Sequence, residues 1–400
     1  MTTSEHYLDQ SATTRPSETA LRALNEAPWG NPSSVHRIGL EAASALKEAR
    51  ASVGKTLGMA RVSRDRLIFT SCGTESNNIA LLGTAAAKKR DPDNPGTILL
   101  SAGEHPSLEN PAQLLEKRGY RVIRVPTAGG ALDLGFLRDA LEQAESPVIF
   151  AGFMLVNNET GAVYDVKSAA SLVRAKYPDA VIHCDAVQGY LKLKKVRFSP
   201  AALGVDTMTL SAHKVHAVRG AGALYLSENV IRRKNLVPVM PGGGQEWGIR
   251  SGTENLPAIA SFAAAAEEGY NALDARLEKT AALRALLDEG IRRLAEEVPG
   301  VGMNVPAGEK QPGIASVRLP AIRSETMLNY LSGRGVYVSA GSACSAAAKK
   351  KSAALSAFGL RDDEADSVIR VSFDHTNTEE DIRAFLEGLG EGVRTLQRKR

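Results

Sequence analysis

Short apolar segments rich in Val, Ile and Leu alternate with longer amphipathic segments between about residues 65 and 230. Consecutive strands that are separated by helices pair in parallel, so this order predicts a mainly parallel sheet covered by helices, an α/β fold. The predicted helices include Glu75–Lys89, Ser107–Arg118 and Val166–Lys176. The predicted strands are Arg66–Phe69, Thr97–Ser101, Arg121–Val125, Val148–Phe153, Ala180–Cys184, Thr207–Ser211 and Gly222–Leu226.

The last third of the chain has a different pattern. Residues 256–297 are rich in Ala, Leu, Glu and Arg, which predicts one or two long helices that bridge two domains. Beyond them, strands over residues 315–319 and 336–339 and helices over 325–334 and 379–396 predict a smaller α+β domain.

Composition and charge exclude several classes of protein. The hydrophobic content of 43% and charged content of 24% are those of a globular protein, not of a collagen-like or disordered one. The formal net charge of +4 gives no electrostatic reason to expect nucleic acid or an acidic membrane. The N-terminus resembles no signal peptide, and no run of apolar residues is long enough to span a membrane. Three scattered cysteines do not form a disulfide framework, so we expect a cytoplasmic protein with a small-molecule substrate.

Polar residues follow the strand in the motif DTMTLSAHK, which ends in Ser211, His213 and Lys214. Open α/β sheets bind ligands at the carboxyl ends of their strands. A lysine at that place can form a Schiff base with a carbonyl cofactor, although a lysine considered alone is more often a surface residue.

Two further motifs follow strands in the same way. In VIHCDAVQ, Asp185 could keep a pyridinium nitrogen protonated, with Gln188 beside it, or Asp185 could cap a helix. In TSCGTESNN, the backbone N–H groups near Gly73 and Thr74 could bind a phosphate, and helix capping explains this motif equally well.

Taken together, the motifs resemble those of a known family. They occur in one order along nearly the whole chain: YLDQSATT, GNPSSVH, TSCGTESNN, EHPS, NNETG, HCDAVQ, SAHK, GGGQE, RSGTEN, SAGSACS and IRVSF. The chain resembles the fold-type I pyridoxal 5′-phosphate (PLP) enzymes of the class V aminotransferase superfamily. Within that superfamily, RSGTEN and GSACS resemble the cysteine desulfurases of the NifS/IscS type.

The resemblance implies a role for each residue of these motifs. Lys214 would bind PLP covalently and later move the substrate Cα proton, and His105 would stack on the ring and shuttle protons. Asp185 would pair with the pyridine nitrogen, and Gln188 would bind the phenolic oxygen. Arg370 and Asn158 would bind the substrate carboxylate, and Asn158 would also contact the cofactor. The phosphate would be held by Gly73, Thr74, Ser211 and His213, and by Thr253 from the second subunit of a homodimer.

Cys344 of SAGSACS occupies the position of the nucleophile in this family. The implied reaction converts L-cysteine into L-alanine and leaves a persulfide on Cys344, which passes sulfur to an iron–sulfur scaffold or a tRNA-thiolating enzyme. The segment after Cys344 resembles the longer cysteine loop of the NifS/IscS group. Three roles are open for its Lys349, Lys350 and Lys351: they could lower the pKa of Cys344, they could contact an acidic acceptor, or they could be solvated charges with no further role.

The resemblance also implies the domain organisation. Residues 1–16 would pack with the small domain, residues 17–257 would form the large PLP-binding domain with a seven-stranded sheet, and residues 258–400 the small domain.

Several positions depart from the family pattern. The turn after the lysine, usually Gly-Pro-Lys-Gly, contains Ala217, Val218 and Arg219 instead of its first three residues. The other departures are Asp374 and His375 in place of Gly-Arg, Trp247 in place of a basic residue, and Cys72 and Gly73 in place of Gly and Ala.

Two alternatives to a cysteine desulfurase follow from these departures. The chain could be another enzyme of the superfamily, such as a selenocysteine lyase or an aminotransferase, neither of which should need Cys344 for chemistry. It could also be a catalytically weakened scaffold that chiefly binds sulfur-transfer partners, given its altered turn after Lys214.

Overall fold

A computed structural model of the chain describes residues 5–59, 66–89, 94–340 and 352–396. Cys344 and Lys349–Lys351 lie outside the described residues. The strands are β1 (His6–Tyr7), β2 (Arg66–Thr70), β3 (Thr97–Ser101), β4 (Arg121–Val125), β5 (Val148–Met154), β6 (Val181–Asp185), β7 (Thr207–Ser211), β8 (Gly222–Leu226), β9 (Gly302–Met303), β10 (Ile314–Arg318), β11 (Val336–Tyr337) and β12 (Val368–Ser372). The α-helices are α1 (Glu18–Glu26), α2 (Arg37–Thr56), α3 (Gly73–Lys88), α4 (Pro106–Glu116), α5 (Leu134–Glu142), α6 (Val166–Lys176), α7 (Pro200–Leu203), α8 (Glu228–Arg232), α9 (Leu256–Asn271), α10 (Leu273–Glu297), α11 (Ser324–Ser332), α12 (Ala353–Phe358), α13 (Asp362–Ala365) and α14 (Glu379–Leu396).

The central sheet has seven strands in the order β2-β8-β7-β6-β5-β3-β4. Six strands run in one direction, and β8 is antiparallel to both of its neighbours, β2 and β7. The chain returns from β7 to β8 without a crossover helix, and a short return of this kind allows only antiparallel pairing. The predicted α/β class and mainly parallel sheet are therefore confirmed.

Both faces of this sheet are buried. Alternate residues of β3 point to opposite faces, so Leu99 packs in the apolar layer on one face and Ile98 and Leu100 pack in the layer on the other. We call the two layers together the first core. Every residue of β5 is buried, as expected for a strand covered on both sides. Each such Leu, Ile or Phe side chain contributes about 1.5–3 kcal/mol when it is fully buried.

A second core lies under the small sheet β12-β10-β9. It contains Leu8, which follows β1, together with side chains from α10, α11 and α14. The predicted long helical segment forms two helices, and α10 contributes Leu273 to the first core and Leu283 to the second. The predicted domain boundaries themselves remain a prediction.

The topology places several polar residues at one edge of the central sheet. The parallel strands β5, β6 and β7 all end at this edge, and helices α3 and α4 begin beside it. Strand β12 brings Arg370 to the same place. Among the described residues, no helix combines the length and apolar character needed to cross a bilayer.

Candidate active site

A cavity of about 260 Å³ lies at the carboxyl edge of the central sheet. It contains nearly all the residues that the motifs single out, because the loops that carry them converge there. Thr253 is exposed and is not among the lining residues. The lining includes Gly73, Thr74, His105, Asn158, Asp185, Gln188, Ser211, His213, Lys214 and Arg370.

Lys214 ends the short 3₁₀ turn that follows β7. Its Nζ donates to the carbonyl oxygens of Ser11 and Ala12, the latter at 2.7 Å. The backbone N–H of Thr14 donates to the carbonyl of His213 at 2.9 Å, so the N-terminal segment holds the lysine turn in place. The sequence motifs did not indicate this role of the N-terminal segment.

Asp185 lies at the end of β6 and is 4% exposed. Its Oδ2 accepts a hydrogen bond from Asn77 Nδ2 at 2.8 Å, and its Oδ1 accepts one from the backbone N–H of Val187 at 3.0 Å. Asn77 Oδ1 lies 3.0 Å from His183 Nε2, which therefore carries the imidazole proton. Burial lowers the pKa of His183 to about 3, so the ring is neutral and acts as an orienting donor.

Replacing Asn77 by alanine would remove the bridge between His183 and Asp185. We expect the unfolding free energy to fall by about 1–3 kcal/mol, because buried donors and acceptors lose their partners. The matched control is Asn78→Ala in the same helix, whose amide donates only to the carbonyls of Thr74 and Ser107. Urea unfolding of both variants measures the difference, and equal losses would contradict the bridging role.

His105 is the N-cap residue of α4, and its Nδ1 accepts from the backbone N–H of Ser107 at 3.2 Å. Ser107 Oγ accepts from Asn77 Nδ2 at 2.7 Å and lies 2.8 Å from His105 Nδ1, so it donates its own proton to that nitrogen. The proton of the neutral ring is therefore on Nε2. Burial lowers the pKa of His105. The negative charge of Asp185 raises this pKa and the positive charge of Lys214 lowers it, and the net shift is downward.

Helix α3 begins at the cavity with an uncapped N-terminus. Cys72, its N-cap residue, makes no side-chain hydrogen bond to the first turn, so the N–H groups of that turn are suited to an anion. A Cβ on Gly73 would lie 3.1 Å from Val187 Cγ2, so a glycine keeps this wall of the cavity open. His213 adds a neutral polar ring, because burial and the charge of Lys214 lower its pKa to about 4.

Arg370 is 3% exposed and reaches the cavity from β12. Its Nη2 donates to Asp9 Oδ1 at 2.7 Å, and its Nη1 donates to the backbone carbonyl of Asn158 at 3.0 Å. Its Nε has no hydrogen-bond partner within the described residues. The guanidinium is thus held in a fixed orientation and keeps a buried donor for an anionic ligand.

Comparisons with known proteins identify the family of this chain. The family model described as "Aminotransferase class-V" matches residues 6–385. The chain belongs to the class-V aminotransferase family. Enzymes of this family depend on PLP, and the motif resemblance to the family is confirmed.

Similar members of the class-V aminotransferase family carry related names. A "NifS/IcsS protein homolog" of Lactobacillus delbrueckii subsp. bulgaricus is 36% identical, and the match covers 96% of each chain. "Cysteine desulfurase IscS 1" of Archaeoglobus fulgidus is 31% identical over 96% of this chain and 95% of its own. A solved "NIFS-LIKE PROTEIN" is 32% identical, with a TM-score of 0.87 over 98% of this chain and 100% of its own. The resemblance to the NifS/IscS type is therefore confirmed.

The departures from the class-V family pattern are accommodated by tertiary contacts. His216 has a positive φ of 67°, and its backbone N–H donates to Thr14 Oγ1 at 2.8 Å, which fixes the turn without the usual Gly-Pro. Trp247 stacks under Arg50 and Arg66, with guanidinium carbons 4.6 Å and 5.1 Å from its ring. Neither departure closes the cavity.

Glu104, which the motif EHPS contains beside His105, is a buried carboxyl that no sequence motif singled out. Its Oε1 accepts from the Met154 backbone N–H at 2.6 Å and from Ser101 Oγ, while its Oε2 has no partner among the described residues. Burial raises the pKa of Glu104 well above its usual range, and the charge of Asp185 raises it further. Burial thus favours the protonated form of this carboxyl, which limits the negative charge behind Asp185.

Glu104→Gln should make stability less sensitive to alkaline pH. The pKa of Glu104 is higher in the folded state than the unfolded value of about 4.3, so wild-type stability is lost as pH rises above that value. The amide cannot ionise, so the Tm difference between variant and wild type should grow from about pH 5 to about pH 8. Glu278→Gln, at an exposed position, is the control. A Tm difference between Glu104→Gln and wild type that shrinks as the pH rises would contradict the raised pKa of Glu104.

Proposed function

We propose that this chain is a PLP-dependent cysteine desulfurase that converts L-cysteine to L-alanine and forms a persulfide on Cys344. The observation that carries the proposal is the convergence of Lys214, Asp185, His105 and Arg370 on one cavity. Relatives named cysteine desulfurase, aligned over nearly the full length, support the choice of substrate.

The residues of the cavity fit the cofactor. Lys214 would hold it covalently, Asp185 would pair with its pyridine nitrogen, and the neutral ring of His105 would stack on its face. Gln188 would bind the phenolic oxygen. The uncapped N-terminus of α3, with Ser211 and His213, would hold the phosphate. When bound, PLP supplies an electron sink for the pair of electrons left at the substrate Cα.

The chain's own residues account for the remaining chemistry. Arg370 would bind the substrate carboxylate through its Nε–H. This contact would also orient the Cα–H bond of the substrate toward Lys214 Nζ. Lys214 would remove the Cα proton and later return a proton to the product. The thiolate of Cys344 would attack the substrate sulfur, so the C–S bond breaks as an S–S bond forms. One cysteine and one thiol give one alanine and one persulfide, and no external oxidant is needed.

The proposal extends to partners and location. The exposed Thr253 would reach the phosphate of a second subunit, which predicts a homodimer. The persulfide would supply an iron–sulfur scaffold or a tRNA-thiolating enzyme in the cytoplasm, with no direct contact to nucleic acid.

The substrate profile of the purified protein tests this function. With reductant present, L-cysteine should give alanine and sulfide in equal amounts. Alanine from L-selenocysteine alone would favour a selenocysteine lyase, and keto acid without sulfide would favour an aminotransferase. Bound cofactor with no turnover of any of these substrates would favour the catalytically weakened scaffold.

A further inference from the structure

We propose that His216, Asp374 and His375 form a binding site for a single Zn²⁺ ion beside the lysine turn. The ligand atoms that these three side chains offer all lie within 4.8 Å of one another. Two of the three residues are departures from the family pattern, so the site belongs to this chain and not to its family. The inference does not depend on the proposed substrate.

The hydrogen bonding of His216 leaves one ring nitrogen aimed at an acceptor. Its Nδ1 lies 3.0 Å from the backbone carbonyl of Arg15, so Nδ1 carries the proton and donates it there. In the neutral ring, Nε2 is then a lone pair that faces Asp374 Oδ2 at 2.9 Å. Either a proton on Nε2 or a bound cation holds these two atoms at this distance, and the proposed Zn²⁺ would take the place of that proton. Metal-binding histidines commonly donate their other N–H to a backbone carbonyl in this way.

Asp374 uses one oxygen for the Thr376 turn and presents the other to the His216 ring. Its Oδ1 accepts from the backbone N–H and the hydroxyl of Thr376, at 2.8 Å and 2.7 Å. Its Oδ2 is buried and lies 2.9 Å from His216 Nε2. Gln311 Oε1 is a buried oxygen without a hydrogen-bond partner among the described residues, and it lines the same small cavity as Asp374.

That cavity has a volume of about 40 Å³ and is lined by His216, His375, Asp374 and Gln311. A volume of this size holds an ion with a bound water, because one water needs about 10–15 Å³. Two imidazoles and one carboxylate, with a water as the fourth ligand, suit Zn²⁺ better than Mg²⁺ or Ca²⁺, which prefer oxygen ligands.

Nearby cations limit the affinity that we expect. Lys192 and Arg276 line the same cavity. Lys192 Nζ donates to Gln188 Oε1 at 3.0 Å, and Arg276 pairs with Glu268, so each has a partner of its own. Lys214 also lines the cavity, and Lys279 donates to the carbonyl of His375. We therefore expect weaker binding than at a closed site of four protein ligands.

The position of the site indicates what the ion would do. His216 is two residues after Lys214 on the central sheet, and Asp374 is four residues after Arg370 on the small sheet. A shared ion would join these two segments and so restrain the lysine turn, which lacks the family's Gly-Pro. The ion would be structural.

Equilibrium dialysis of the cofactor-loaded protein against ZnCl₂, with metal content measured by mass spectrometry, tests the site. The experiment uses a Cys344→Ser background, which removes one competing thiol while the other two cysteines are common to every sample. We expect one Zn²⁺ per chain, bound at least about tenfold more weakly after Asp374→Asn or His375→Ala. Zn²⁺ should also raise the Tm of the background protein and not that of these variants.

The control is Asp381→Asn. His6 and Asp381 form a similar pair at 2.8 Å, but no second imidazole accompanies them among the residues that the structure describes. Zn²⁺ binding should be unchanged in this variant. If Asp374→Asn does not fold, as judged by circular dichroism, His375→Ala decides, because that side chain is 23% exposed. No bound Zn²⁺ in the background protein, or equal binding in all variants, would overturn the proposal.

Discussion

Lys214→Ala is expected to lower alanine formation from L-cysteine by at least about 10³-fold, the scale on which a positioned acid–base group contributes. The variant also loses the amine that would bind PLP covalently, so the visible absorbance of the linked cofactor should disappear. Both effects follow from the position of Lys214 at the carboxyl end of β7, in the same cavity as Asp185 and Arg370.

The control for Lys214 is Lys167→Ala, an exposed lysine on α6. Absorbance spectra and initial rates of alanine release for the two variants separate a catalytic lysine from a general loss of positive charge. If Lys214→Ala kept the linked-cofactor spectrum and the wild-type rate, Lys214 would not be the cofactor lysine.

Cys344→Ala is expected to lower alanine release by at least about 10³-fold while PLP remains bound. The substrate sulfur needs a thiolate acceptor, and alanine cannot leave until that sulfur has been removed. The acid–base residues of the cavity are untouched in this variant, so its cofactor spectrum should match that of the wild type.

Cys72→Ala is the matched control for Cys344, because the Cys72 thiol lines the same cavity. Its rate of alanine release in the presence of reductant should stay close to that of the wild type. A wild-type rate in Cys344→Ala, or a loss confined to Cys72→Ala, would show that Cys344 is not the sulfur acceptor.

The strands of the central sheet could be located from the sequence because each is a short apolar run between turns. The predictions for β3, β4, β7 and β8 coincide with the structure. Those for β2 and β5 end one residue early, and the one for β6 both begins and ends one residue early. The position and direction of β8 in the sheet could not be predicted, because they depend on its pairing with β2, a segment distant in the sequence, as well as with β7. The same holds for Leu8, whose position in the second core requires β1 to pair with β11.

The motifs identified the residues that line the cavity but not the residues that orient them. Asn77 lies within TSCGTESNN, yet its role depends on His183 and Asp185, which are more than 100 residues away. Glu104 is one residue from His105, and the burial that raises its pKa is set by the fold and not by its place in the motif. The contact between His216 and Asp374 likewise joins two residues that look unrelated along the chain.

The central claim is that sulfur moves from L-cysteine to Cys344. Mass spectrometry of the proteolysed protein, after a single exposure to L-cysteine without reductant, measures this transfer directly. The account predicts one added sulfur atom on the peptide that contains Cys344, none on the peptides of Cys72 and Cys184, and an equal amount of alanine. Alanine formed with no added sulfur on Cys344 would contradict the account.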